Sequence, residues 1–449
     1  MNQEDILIRS KSSTRKFLIF GLPNLGTSII MGFADFALFT LYNLAYNITP
    51  FLVGIALGLG KFTIAASQFF FGWISDAKYT KWGRRKPYLV IMSPILGLSF
   101  IFLLLPGLIL DPKDLNAIFI WLLLWYQIFN ICYGITSPYG AWMAEQFIVK
   151  DRPRASQYQQ FFGFIGYAVT TAFSMIVLTG FIINIEDNPN FIPPGFFYSI
   201  LIFGVTPILL FYLTSFIISK EPHFKIDSKI IHNLKVILKN KNFLLATVMQ
   251  GISSIATIMI VEVMLIFIIE VLQFNDLDYY IAAGIMILGI LFFLYIWKRI
   301  IHKFGKKKSL LYIFSSAIII LSLTLIGLIP MDSYFIFGLL FIIGLSGCLG
   351  GWALFPAIIY ADIAEDDEKK TGELKAGIYT GFPSITLNLF QALGIFIMGI
   401  ILELPRVGNL SYSIGLILWG PFCSLIFIIT YLFTKKFIKL DFAWEKQQQ

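Results

Sequence analysis

Residues 72–88 read GWISDAKYTKWGRRKPY. A glycine, an acid four residues on and a basic cluster behind a second glycine make a segment that belongs in water. The runs on either side, roughly 51 to 75 and 87 to 108, are each apolar for about 20 residues, enough to cross a bilayer. The segment is therefore a short polar loop between two membrane helices. Within it Gly72 permits close helix approach. Asp76 can pair with Arg84, with Arg85 or with a neighbouring helix end. Together with Gly83 these residues would make a compact charged turn on the cytoplasmic side, which the resemblance drawn below would make a latch between conformations. The plainer alternative is a basic loop with a chance acid.

Working outward, the same window finds twelve such runs, at roughly 17–45, 51–75, 87–108, 116–142, 157–183, 195–219, 243–273, 278–298, 308–329, 334–361, 376–403 and 411–435. Composition agrees: 57% of residues are hydrophobic and 13% charged, against about 25% charged in soluble domains. The net charge of +8 does not point to nucleic acid. Its lysines and arginines sort by side of the membrane, before the first run and after every even-numbered one. Only Lys113 and Arg406 fall in the opposite loops. By the positive-inside rule both termini are cytoplasmic, which an even number of spans independently requires. A multi-pass protein of the plasma membrane is expected, with the lipid bilayer as its main partner and a monomer as its unit. The first run is too long for a cleaved signal and reads as a signal anchor. Cys132, Cys348 and Cys423 lie inside apolar runs and read as packing residues. His223, His232 and His302 lie in loops, so neither a metal nor a cofactor is expected within the membrane.

The longest polar interruption, Lys220 to Asn242, divides the spans six and six. Residues 1–219 and 243–449 are thus expected as two six-helix bundles, joined by a linker over 220–242 that lies along the membrane surface. Internal similarity supports the division. GWISDAKYTKWGRRK after the second span has an echo in YIWKRIIHKFGKKK after the eighth, although the echo lacks the acid, as suits a latch built on one side. Glu145 closes span four as Asp362 closes span ten, and Asp35 in span one corresponds to Glu262 in span seven. This pattern resembles the major facilitator superfamily. The resemblance implies an all-α membrane fold of twelve transmembrane helices in two pseudo-repeats, with a substrate site between the halves at the midplane.

Two segments narrow the resemblance. SQFFFGWISDAKYTKWGRRKPY is similar to the corresponding loop of plant sucrose transporters. PAIIYADIAEDDEKKTGELKAGIYTG, Pro356 to Gly381, resembles the glycoside-pentoside-hexuronide cation symporters, the family containing melibiose permease. That family's second span typically carries an arginine and two aspartates that ligate a cation. Setting Gly72 on its last glycine places Lys61 at the arginine, Ile64 at the first aspartate and Gln68 at the second. Both acids are missing, so the resemblance argues against sodium as the coupling ion. Gln68 matches the sucrose-transporter version, whose members are proton-coupled. A proton is the expected coupling ion.

Charged side chains inside a bilayer cost about 2.5–3.5 kcal/mol each on insertion scales, so each is a candidate for function. Asp35 and Lys61 lie at equal distances on either side of the outer turn near Asn47, about 20 Å along their helices. They are expected to pair, either as a static ion pair or as a working one; Asp35 also matches the family's acidic sugar-binding position. Glu145 would exchange protons or pair with Arg152 or Arg154. Glu262 would titrate or bind solute in a wet cavity. Sugars are held by aromatic stacking and hydroxyl hydrogen bonds, which makes Tyr126, Asn130, Trp352 and Tyr379 binding candidates alongside Gln68. Each of these aromatics reads equally as packing or interfacial belt.

Together these readings describe a non-enzymatic secondary transporter that moves a sugar or glycoside by alternating access, coupled to protons. A lysolipid carrier of the same superfamily and a non-transporting solute sensor remain open. Gly72, Asp76 and Arg84 speak against the sensor, which needs no rocking latch.

Overall fold

The computed structural model describes residues 13–77, 79–148, 151–185, 191–219, 239–371, 376–408 and 410–440. Among these, twelve helices are long and apolar enough to cross a membrane: α1 Thr14–Phe36, α2 Pro50–Ala77, α3 Lys86–Leu104, α4 Leu115–Met143, α5 Arg154–Ile182, α6 Pro194–Ile217, α7 Lys241–Leu272, α8 Asp276–Phe304, α9 Lys306–Leu328, α10 Phe335–Asp367, α11 Phe382–Leu402 and α12 Gly415–Phe437. The twelve predicted spans are all present. Residues 220–238, most of the expected linker, lie outside the described residues.

The deviations from the expected spans have local causes. Regular helix ends at Phe36, because Ala37 leaves helical geometry at φ −124° and ψ −21°. A short turn, Leu38–Thr40, and a π-helical turn, Leu41–Ala45, carry the chain on to a left-handed Asn47. The helix that begins at Phe335 continues past the apolar stretch to Thr371. Lys369 pairs with Glu365 one turn back at 2.8 Å, which supports helix in water.

The chain forms two compact units, Met1–Ile48 with Leu59–Ser228, and Thr49–Gly58 with Lys229–Gln449. In the first, α1 packs on α5 and α6, and α3 on α4 and α6. In the second, α7 packs on α11 and α12, and α9 on α10 and α12. The second pattern is the first shifted by six helices. Even the close contacts repeat. A Cβ on Gly166 would stand 2.7 Å from the Leu25 carbonyl oxygen, and one on Gly394 2.8 Å from that of Ile255. Only glycine lets α5 approach α1, and α11 approach α7, this closely.

α1 and α7 are the most enclosed spans, with 78% of the apolar window buried in each, whereas α8 has 22%. The innermost helix of each unit is therefore the one that carries an acid, Asp35 or Glu262. Past Glu262, α7 ends as α1 does, in a π-helical turn, Ile268–Leu272, and a left-handed residue, Gln273. π-Turns accommodate an extra residue within a helix and often mark functional positions.

Candidate functional site

Lys61 of α2 donates from Nζ to Asp35 Oδ1 of α1 at 2.6 Å. The Lys61 side chain is 3% exposed and that of Asp35 21%. The ammonium is thus enclosed while its partner carboxylate keeps part of its surface open. An enclosed charge is tolerable only when paired, so the carboxylate makes Lys61 possible at this depth.

Two tyrosines stand near Asp35. Tyr133 of α4 and Tyr167 of α5 both lie within electrostatic reach of its carboxylate. Gly32, one turn before Asp35, opens the space for Tyr167: a Cβ there would stand 2.9 Å from the ring. Tyr167 is 47% exposed. Sequence reasoning missed Tyr167, because nothing in an aromatic-rich chain distinguishes it; only the small residue at position 32, across on α1, hints at it. Nearby on the α2–α4 seam, Thr63 Oγ1 donates to Gln127 Oε1, and Gln68 Nε2 donates to Thr136 Oγ1 at 3.2 Å. Gln68 therefore has a polar partner on α4, and Ile64 one turn earlier is buried and apolar.

Tyr126 and Asn130 are placed differently from the expectation. Both are fully buried. A Cβ on Gly60 would collide with the Tyr126 ring at 2.0 Å and with Asn130 Nδ2 at 2.5 Å. Asn130 Nδ2 turns back to the Tyr126 carbonyl at 2.8 Å, and Ser67 Oγ donates to the Asn130 carbonyl at 2.9 Å. In this conformation the two residues join α2 to α4 and present no surface to a solute.

At the far end of α2 the loop is built around Gly83, whose φ of +104° only glycine adopts readily. Thr80 and Gly83 exchange backbone hydrogen bonds at 3.0 Å, folding the loop back so that the arginines meet the helix end. Arg85 lies 2.5 Å from Asp76 Oδ1 and 2.8 Å from Glu145 Oε1, and donates to Ser75 Oγ at 2.6 Å. Arg84 stands 3.9 Å from Glu145. Of the two arginines expected to meet Asp76, Arg85 does so. Glu145 has a partner that the sequence did not suggest, Arg85, while Arg154 turns to Thr14 Oγ1 at 3.3 Å and to the Phe17 ring. The loop's tight return brings Arg85 to Glu145. Gly72 serves the close approach expected of it, since a Cβ would stand 2.8 Å from Ser137 Oγ of α4.

The second unit carries a counterpart that the sequence reading denied it. Gly305, between α8 and α9, is also left-handed, at φ +82°. Lys306 Nζ reaches Asp362 Oδ2 of α10 at 2.6 Å. The missing loop acid is thus replaced by one from the end of α10, so the charge pairing is not confined to one side. Glu262 is fully buried on α7, which contradicts a wet cavity around it in this conformation. Trp352 of α10 is half-buried, its ring 5.6 Å from that of Phe314 on α9. The side chain of Tyr379 lies outside the described residues. Cys132, Cys348 and Cys423 are free and buried.

The family described as "MFS/sugar transport protein" matches residues 19–407. No curated protein matches the sequence. Among solved structures, a D-xylose–proton symporter superimposes with a TM-score of 0.71 at 14% identity, covering 94% of this chain and 97% of its own. The inward-open xylose transporter XylE from E. coli gives 0.64 at 13%, covering 94% and 95%. The nucleoside transporter NupG, as a single-residue mutant, gives 0.64 at 13%, covering 94% and 100%. At such identities these likenesses establish the fold: the twelve spans and their repeated packing are those of the major facilitator fold. The match over nearly the whole chain bears out the resemblance carried by the loop after α2 and the segment that follows Pro356. The chain belongs to the MFS/sugar transport protein family, and it is a multi-pass secondary transporter rather than an enzyme.

Proposed function

We propose that this transporter moves a sugar or glycoside together with a proton, as a monomer in the plasma membrane with both termini cytoplasmic. The observation that carries this reading is the pairing of the partly exposed Asp35 carboxylate with the enclosed Lys61 ammonium at 2.6 Å. A proton taken up by Asp35 removes the charge that holds Lys61. The pair is then a two-position element that solute and proton can both bias. Tyr133 and Tyr167 beside it supply aromatic faces, and the second oxygen of Asp35 is an acceptor for a sugar hydroxyl. Sodium fits less well, since Ile64 offers no oxygen and Gln68 is engaged with Thr136. Arg85, bridging Asp76 and Glu145, acts as the latch whose opening accompanies each turnover.

The substrate class is tested by counterflow. Liposomes holding the purified protein and loaded with one unlabelled compound are assayed for uptake of radiolabelled mono- and disaccharides, nucleosides and lysophospholipids. Exchange of a sugar supports the reading. Exchange of only nucleosides or only lysophospholipids overturns it.

A further inference from the structure

Gly32 lies on α1 one turn before Asp35 and faces the ring of Tyr167 on α5. A Cβ there would stand 2.9 Å from ring atom Cδ1 and 3.3 Å from Cε1. Such a collision is relieved by a shift of a helix or of the ring. The helices are pinned. Gly166, next to Tyr167, is pressed onto the α1 backbone, where its own Cβ would meet the Leu25 carbonyl oxygen at 2.7 Å. Thr170, on the following turn, donates from Oγ1 to the Ile29 carbonyl of α1 at 2.9 Å. The ring is therefore the part that yields, and Gly32 is the seat that lets it lie where it does.

The other side of the ring is open. Tyr167 is half-exposed, and among the described residues no aromatic ring stacks on it, whereas Tyr158 and Phe173 of the same helix stack on Phe17 and Phe196. This open side is not a lipid face. Residues four and seven positions apart share one side of a helix, and at that spacing Tyr167 is flanked by Thr171 and the exposed Gln160. The opposite flank carries Phe161, Ile165 and Val169. Hydrocarbon favours the apolar flank, because an amide is costly there. Tyr167 thus stands on the polar side of α5, with the partly open Asp35 carboxylate within electrostatic reach.

We infer that Gly32 and Tyr167 together decide which solute the Asp35 site accepts. Seated against Gly32, the ring presents a flat apolar face beside a carboxylate. A solute that satisfies both needs hydroxyls along its edge and a continuous C–H face. A cyclic sugar has both, whereas an acyclic polyol has no rigid face to lay on the ring. Tyr167 contacts the solute. Gly32 is a positioning residue that acts through it, since any side chain at position 32 moves the ring out of its seat into the space the solute needs. The inference rests on the reading that this transporter carries a sugar.

The test is a double-mutant cycle read by counterflow in liposomes. Exchange of the labelled sugar taken up by wild type is competed by glucose, galactose and mannose, and by their alditols sorbitol, galactitol and mannitol. In wild type the strongest competing hexose should outdo its alditol about three- to tenfold, the range for an aromatic face. Gly32→Ala and Tyr167→Ala each bring that ratio close to one and raise KM. Gly32→Ala adds nothing in the Tyr167→Ala background, because the ring through which it acts is gone. Tyr167→Phe, which keeps the face, restores most of the preference. Gly32→Ala keeps its melting temperature, since its methyl group meets a side chain that can turn rather than a backbone oxygen. That separates a lost site from a lost fold. A ratio of one in wild type overturns the proposal, and so do additive effects of the two substitutions. No exchange of any sugar by wild type overturns the sugar reading itself, and this inference with it.

Discussion

Asp35 on α1 and Glu262 on α7 stand at the same spacing before a π-helical turn, Leu41–Ala45 in one case and Ile268–Leu272 in the other. Each turn is followed by a left-handed residue, Asn47 or Gln273. The two innermost helices thus repeat one design, but the helices that follow them differ: α2 carries Lys61 in mid-span, whereas α8 has no charged residue between Asp278 and Lys298.

If the pair works rather than merely stabilises, its two roles are separable. Asp35→Asn strands an enclosed ammonium and should destabilise the protein by about 3–5 kcal/mol, read as a lowered melting temperature. The double variant Asp35→Asn with Lys61→Met should regain most of that stability without regaining concentrative uptake. Uptake at the wild-type level in the double variant would make the pair a structural feature alone.

The latch rests on Arg85, which touches Asp76, Glu145 and Ser75. Charge-assisted hydrogen bonds are worth about 1.5–3 kcal/mol each. Arg85→Gln should therefore shift the balance between conformations roughly ten- to a hundredfold. Labelling of single cysteines at the end of the bundle that carries the basic loops measures the shift. An unchanged labelling ratio would show that the pairing geometry does not set the equilibrium.

The pairing of Lys306 with Asp362 is more exposed, at 25% and 13% of the two side chains. Partial solvation limits such a pair to about 1 kcal/mol or less. Asp362→Asn should change the same labelling ratio by no more than about fivefold. A change as large as that of Arg85→Gln would assign the second unit an equal share in the latch.

Packing offers a further check. At Gly166 a methyl group would meet the Leu25 carbonyl oxygen at 2.7 Å, a backbone atom that cannot swing aside. Gly166→Ala should cost about 1–3 kcal/mol, seen as lower thermal stability in detergent. The repeat predicts the same for Gly394→Ala, whose Cβ would face the Ile255 carbonyl at 2.8 Å.

The fold could be read from the sequence because it is written in long-range averages. Twelve apolar runs and a one-sided distribution of lysine and arginine survive errors of several residues at every boundary. The Asp35–Lys61 pair was readable too, since two charges equidistant from one turn must share a depth. Partners chosen by side-chain direction were not. Glu145 meets Arg85 because Gly83 folds the loop back, and no spacing along the chain encodes that return. Tyr126 and Asn130 looked like binding groups by type, but Gly60 opposite them makes room for packing. Tyr167 went unnoticed for the converse reason: its place beside Asp35 depends on Gly32 on another helix.

The most direct test of the central claim is accumulation of the labelled sugar in liposomes under an imposed gradient. At fixed voltage an inward proton gradient should drive accumulation above equilibrium, a sodium gradient at constant pH should not, and Asp35→Asn should abolish the proton-driven part. Accumulation driven by sodium at constant pH with no response to protons, or full proton-driven accumulation by Asp35→Asn, would contradict the account.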